Sequence, residues 1–195
     1  GDFAGAEAEM RAALTRLPPE ERPVVRRALV RLLLTQGRLD DTRGLLRKFA
    51  DDKIFDVEML LQQGELALNS LDYAEVEKVE EQLKTMEGER GVHWHFLAAR
   101  RLIARATGAD DPQLQKADES LQTVINVRSN WSAAFVLKGL LAERRGRTAE
   151  AIEAYKTAIE QGDRRVAVFQ HLVLLLRDNP SEAERYLSML TNPGE

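Results

Sequence analysis

The chain of 195 residues is 44% hydrophobic, 31% charged and only 6% aromatic, which is enough apolar material for a packed core and excludes a disordered segment. Its net charge of −4 argues against nucleic acid as a partner, because phosphate neutralisation needs a basic face. With no cysteine, disulfides and thiolate metal sites are excluded, and no apolar run reaches the roughly 18 residues that a membrane insertion would need.

Amphipathic segments, with apolar residues at i, i+3, i+4 and i+7, lie between glycine and proline breakers along the whole chain. In order they fall near 2–16, 22–36, 39–51, 54–70, 73–87, 91–107, 111–127, 131–145, 148–161, 164–177 and 181–191, which predicts about eleven helices. No segment sustains a period-two apolar pattern, so the expected class is all-α.

Alternate helices keep a register. Leading helices open at Pro23, Val57, Gly91, Ser132 and Val166, at separations of 34, 34, 41 and 34 residues. The long interval holds an insertion at Thr107–Gln113 (TGADDPQ), where Asp111 and Pro112 suit a helix cap followed by a first-turn proline. At a large-residue position of the leading helices stand Arg26, Leu60, Trp94, Phe135 and Phe169, and at a close-packing position Val30, Gly64, Ala98, Gly139 and Val173. The second helices place Ala6, Thr42, Val76, Ala117, Ala151 and Ala183 at a small-residue position. One turn further stand Met10, Leu46, Glu80, Leu121, Tyr155 and Leu187, with Val79 expected to replace Glu80. Small residues at these points let paired helices approach closely.

This pattern, clearest in Ser132–Arg165 (SAAFVLKGLLAERRGRTAEAIEAYKTAIEQGDRR), resembles the tetratricopeptide repeat (TPR) family. The resemblance implies a right-handed α-solenoid of antiparallel helix pairs, a TPR-like superhelix, over 1–195. Residues 1–22 would be an orphan second helix, followed by pairs at 23–56, 57–90, 91–131, 132–165 and 166–195. Because the register opens mid-repeat, the chain is expected to be a fragment of a longer array.

In such arrays the leading helices line a concave groove. By register the groove residues are Arg27, Arg31 and Thr35; Leu61, Glu65 and Leu68; His95, Ala99 and Leu102; Val136, Leu140 and Arg144; and Gln170, Leu174 and Arg177. The expected function is a non-catalytic scaffold for a protein or peptide partner. Arg27 and Arg31 would pair with an acidic segment, and Leu61, Leu68, Val136, Leu140 and Leu174 would be apolar anchors. The Lys/Asn clamp by which some TPR domains hold a C-terminal carboxylate is not repeated here. A second reading is a self-associating assembly scaffold of a larger secretion or regulatory protein, docking through its open N-terminal end. A third is an RNA-binding helical repeat. Long bacterial TPR proteins serve both cytoplasmic and periplasmic tasks, so the compartment stays open between the two.

Catalytic and metal chemistry are not expected. His93 and His95 lie two apart on a helix and point about 200° apart, so they do not share an ion. The carboxylate runs at Glu75, Glu77, Glu80 and Glu81 read as a solvated face, and no nucleophile, phosphate-binding or dinucleotide motif accompanies them. No cofactor is implied. Trp94 is expected in the core and Trp131 on a seam between repeats.

Overall fold

The computed structural model describes residues 2–51 and 56–191. Eleven α-helices and no strand occur among them: α1 (Phe3–Arg16), α2 (Arg22–Thr35), α3 (Leu39–Asp51), α4 (Val57–Asn69), α5 (Tyr73–Glu87), α6 (Val92–Arg105), α7 (Pro112–Val127), α8 (Ser132–Arg144), α9 (Thr148–Glu160), α10 (Val166–Leu175) and α11 (Pro180–Thr191). The first two residues of the helix expected near 54–70, and the last four of the pair expected at 166–195, lie outside the described residues. The helices group into two compact units, Gly1–Thr85 and Met86–Glu195.

In the first unit, Leu29, Val30 and Leu33 of α2 pack with Leu45, Leu46 and Phe49 of α3 and with Met59 and Leu66 of α4. Arg26 occupies the large-residue position of α2 and is buried with its guanidinium 5.5 Å from the centre of the Phe49 ring. Its aliphatic stem and a cation–π contact stand in for an aromatic side chain. The first helix, α1, has no buried residue. Met10 and Leu14 only flank the core, and Arg38 bonds both Glu7 of α1 and Asp41 of α3.

In the second unit, two clusters share α8. Phe96, Ala99 and Ile103 of α6 meet Leu114, Ala117 and Leu121 of α7 and Ala134, Leu137 and Leu141 of α8. Ala142 of α8 meets Ala151, Tyr155 and Ala158 of α9, Phe169 and Leu172 of α10, and Ala183 and Tyr186 of α11. The core side chain of α6 is Phe96, not Trp94. Trp94 is half-buried, and its indole N–H donates to the Gly88 carbonyl (3.0 Å). Trp131 stacks on Phe96 with ring centres 4.5 Å apart, which places it between α6 and the start of α8. In α5 Val79 is fully buried, as are Val76 and Leu83, while Glu80 beside it is half-buried. The same shift occurs in α11, where Tyr186 is buried and Leu187 exposed. The turn before α11 is two residues short, yet Ala183 keeps its small-residue position in the core.

One turn recurs with the register. After α8, Gly146 adopts φ 70° while its N–H donates to Glu143 and the Arg147 N–H donates to Ala142. Gly37 does the same after α2 with φ 69°. These are left-handed helix ends, which glycine adopts without steric cost. The equivalent residue after α4 is Leu71, forced to φ 58° with the same bonding pattern. Gly139 has a different duty. A Cβ there would come within 2.5 Å of the buried Tyr155 ring, so α8 and α9 touch backbone to ring at that point.

Gly139→Ala is expected to lower stability by about 2 kcal/mol in urea denaturation, since a fully buried ring cannot yield. Leu71→Gly raises it by about 1 kcal/mol, because the left-handed strain disappears and the lost side chain is already 67% exposed. The hydrogen bond from Arg38, with a smaller one from Arg11, holds the Glu7 carboxyl below its ordinary value of 4.5. A depressed folded-state value stabilises above the unfolded one and is lost as pH falls through the folded one. Melting temperature is therefore expected to fall below about pH 4.5 less steeply in Glu7→Gln than in wild type.

Candidate functional site

The register assigns α2 and α4 of the first unit and α6, α8 and α10 of the second as leading helices, and within each unit their uncovered faces are the candidate partner-binding surface. In the first unit this surface is already occupied by its own charges. The Arg27 Nη1 lies 2.6 Å from Asp56 Oδ2, and Arg31 Nη2 lies 3.3 Å from Glu58 Oε1. Asp56 also accepts the Glu58 N–H at 2.9 Å and so caps α4. Both arginines therefore tie α2 to the electropositive first turn of α4 through its acidic residues. Leu61 and Glu65 are half-buried. Leu68 belongs to the core, at 7% exposed. It lies four residues beyond Gly64 and eight beyond Leu60, both buried, and continues their stripe rather than that of Leu61.

In the second unit the candidate residues spread over α6, α8 and α10. His95 is half-buried, stacks on Trp94 with ring centres 3.6 Å apart, and donates a ring N–H to the Glu89 carbonyl at 3.1 Å. Ala99 is fully buried, so it is core. Leu102 is half-buried against the α6–α7–α8 cluster. Val136 is half-buried on the next cluster, and Leu140 touches both. Arg144 is exposed and donates to the Ala106 carbonyl at 3.3 Å. Gln170 is exposed, and Leu174 is 72% exposed. Leu174 is the register equivalent of Leu140, which packs against both clusters, whereas Leu174 is left exposed.

A polar cluster that the register does not reveal joins three helices. Glu143 of α8 accepts the Tyr155 hydroxyl of α9 (2.5 Å) and the His171 Nδ1–H of α10 (2.9 Å) on one oxygen. Burial, and then the Glu143 carboxylate, push the Tyr155 hydroxyl well above its ordinary value, so it remains a neutral donor. The spacing of 28 residues between Glu143 and His171 is not a helical repeat, and only the pairing of α8 with α10 brings them together. His93 is separately bonded to the Glu87 carboxylate, apart from His95. Among the described residues no three His, Cys, Asp or Glu side chains are placed to hold a metal ion. No described helix is long and apolar enough to cross a membrane.

The inserted loop is built as its sequence suggests. Asp111 accepts the Gln113 N–H and the Thr107 N–H, both at 2.9 Å, and Pro112 opens α7. These backbone hydrogen bonds, led by that from Thr107, hold its carboxyl below the ordinary value.

No family model matches the chain, and no curated protein matches it. Solved structures do. A tetratricopeptide repeat protein from Parabacteroides merdae aligns over 100% of this chain and 75% of its own, at TM-score 0.67 and 14% identity. A thermophilic TPR protein in Thermus thermophilus aligns over 84% and 87%, at TM-score 0.70 and 16% identity. MamA 41-end from Desulfovibrio magneticus RS-1 aligns over 88% and 94%, at TM-score 0.54 and 18% identity. At such identities the likeness establishes the fold, an all-α TPR-like array of helix pairs.

Proposed function

We propose that the chain is a non-catalytic protein-binding scaffold whose leading helices hold a partner peptide. Exposed Leu174 carries this reading. It stands with half-buried Val136 and Leu140, on helices whose other faces are packed, and apolar side chains left uncovered in that setting favour association. Covering one leucine fully contributes about 1.5–3 kcal/mol. Arg144 and Gln170 flank these residues with donors for a partner's backbone or carboxylates. Arg27 and Arg31 have a smaller role than the sequence suggests. A partner's carboxylate would have to displace Asp56 and Glu58, and one exchanged ion pair adds little. The polar cluster at Glu143 holds α8, α9 and α10 together, a structural duty that fits the scaffold reading.

Self-association is the second reading, favoured by Phe3 of α1 at 54% exposed and Val24 of α2 at 64%. Light scattering over a concentration series separates the two, because only self-association raises the mass of the isolated chain.

The test uses Leu174→Glu, which is exposed enough to leave the melting temperature unchanged. A partner recovered on the wild-type chain and identified by mass spectrometry is expected to bind the variant about tenfold or more weakly, a difference of about 1.4 kcal/mol. Equal affinity would remove Leu174 from the site.

A further inference from the structure

A cavity of about 180 Å³ lies in the first unit on the side of the second helices, away from the candidate groove. Its floor is Leu46 of α3 with Leu66 and Ala67 of α4. Arg43 and Arg47 of α3 form one wall, and Gln63, Ser70, Asp72 and Glu75 the other. The register explains why it is open. In the second unit Arg145 fills the equivalent place, donating to Asp118 at 2.7 Å and to Gln115 at 3.3 Å and so bolting the end of α8 to α7. In the first unit the residue at the Arg145 position is Ser70, whose hydroxyl reaches back to the Leu66 carbonyl at 2.9 Å and the Ala67 carbonyl at 3.1 Å, both on its own helix. At the Asp118 position stands Arg43, which turns aside to Asp40 at 2.8 Å. The bolt is missing, its anchor has the opposite charge, and the gap has an apolar floor.

The charges around the gap are unequal in what they leave over. Asp72 accepts the Glu75 N–H at 3.1 Å at the start of α5, and Glu75 accepts Gln63 Nε2 at 2.5 Å with Lys78 at 3.5 Å. Those carboxylates are committed. On the α3 wall, Arg47 is exposed and has no hydrogen bond or ion pair among the described residues, and neither has exposed Lys48 beside it. The Asp40 partner of Arg43 is itself 96% exposed, so that pair is readily exchanged. An empty apolar cavity of ~150 Å³ accepts a group the size of benzene. This one therefore has room for a single leucine or phenylalanine side chain.

We infer that this cavity is a second docking site, for an acidic segment of a partner protein that inserts one apolar side chain over Leu46, Leu66 and Ala67 and sets its carboxylates on Arg47 and Arg43. Gln63 and Ser70 line the seat of the inserted side chain. The acidic-partner chemistry is thus placed on α3, where Arg47 has no partner among the described residues, rather than on Arg27 and Arg31 of α2, which are paired with the first turn of α4. The site is independent of the leading-helix groove.

The test is a heteronuclear NMR titration of the whole chain with the capped peptide acetyl-Glu-Glu-Leu-Glu-Glu-amide. Saturable shifts are expected at the Gln63 side-chain amide and at the backbone amides of Leu66 and Ser70. Arg47→Glu is expected to weaken binding at least fivefold, as is replacing the peptide's leucine by serine. Ser70→Trp, whose ring fills the seat without adding charge, is expected to do the same. Both substitutions are at exposed positions, and an unchanged melting temperature confirms the fold. Leu174→Glu is expected to leave these shifts intact, which separates this site from the groove. Shifts that persist in Arg47→Glu, or that fall on α8 and α10 instead of around Gln63, would overturn the assignment.

Discussion

The close approach of α8 to α9 at Gly139 is the constraint on which the clearest helix pair depends. With no side chain at that point, the Tyr155 ring lies directly on the α8 backbone. This fixes the separation of the pair and brings the Tyr155 hydroxyl to Glu143, and Glu143 in turn reaches His171 of the next leading helix. One absent Cβ thus sets both the packing within a pair and the polar link to its neighbour. A buried polar group must keep its partners to avoid a desolvation penalty, so the link also restricts how α10 can sit against α8. Leu140 lies next to Gly139, which is why it reaches both clusters of the unit.

The helices and their register were legible in the sequence because both follow from local rules. Apolar periodicity, capping residues such as Asp111, and left-handed glycines such as Gly146 act over a few residues each. Resemblance at the level of fold could be read from Gly139, Ala151, Tyr155 and Ala158 for the same reason. What escaped was decided by tertiary context. Leu71 carries no sign of a left-handed turn, and only its place in the register would have raised the question. Trp94 and Phe96 differ by two residues on one helix, and which of them enters the core depends on how α6 is rotated against α7. Tyr186 replaces Leu187 for a related reason, since the rotation of α11 on its neighbours decides which of the two enters the core.

The candidate site was less legible than the fold, and charge was the main reason. A sequence shows where arginines are and not which are engaged. The cluster from Arg26 to Lys48 looks uniform, yet its members differ in duty. Arg26 fills a core position, Arg27 and Arg31 hold the start of α4, Arg38 holds α1, and Arg47 and Lys48 have no partner among the described residues. Partners for these residues come from acidic groups about one repeat away or from the preceding second helix, and such pairings arise only when pairs stack.

The manner in which α1 is held has a consequence for its dynamics. The helix has no buried residue; it packs on α2, with Met10 and Leu14 flanking the core, and the Arg38–Glu7 pair adds a charged tie. The charged part of that attachment weakens as ionic strength rises, whereas the apolar core around Leu29 and Leu33 does not. The two parts of the unit therefore exchange their amide hydrogens on different terms: those of α1 through local, salt-accelerated opening, and those of α2 only when the unit as a whole opens.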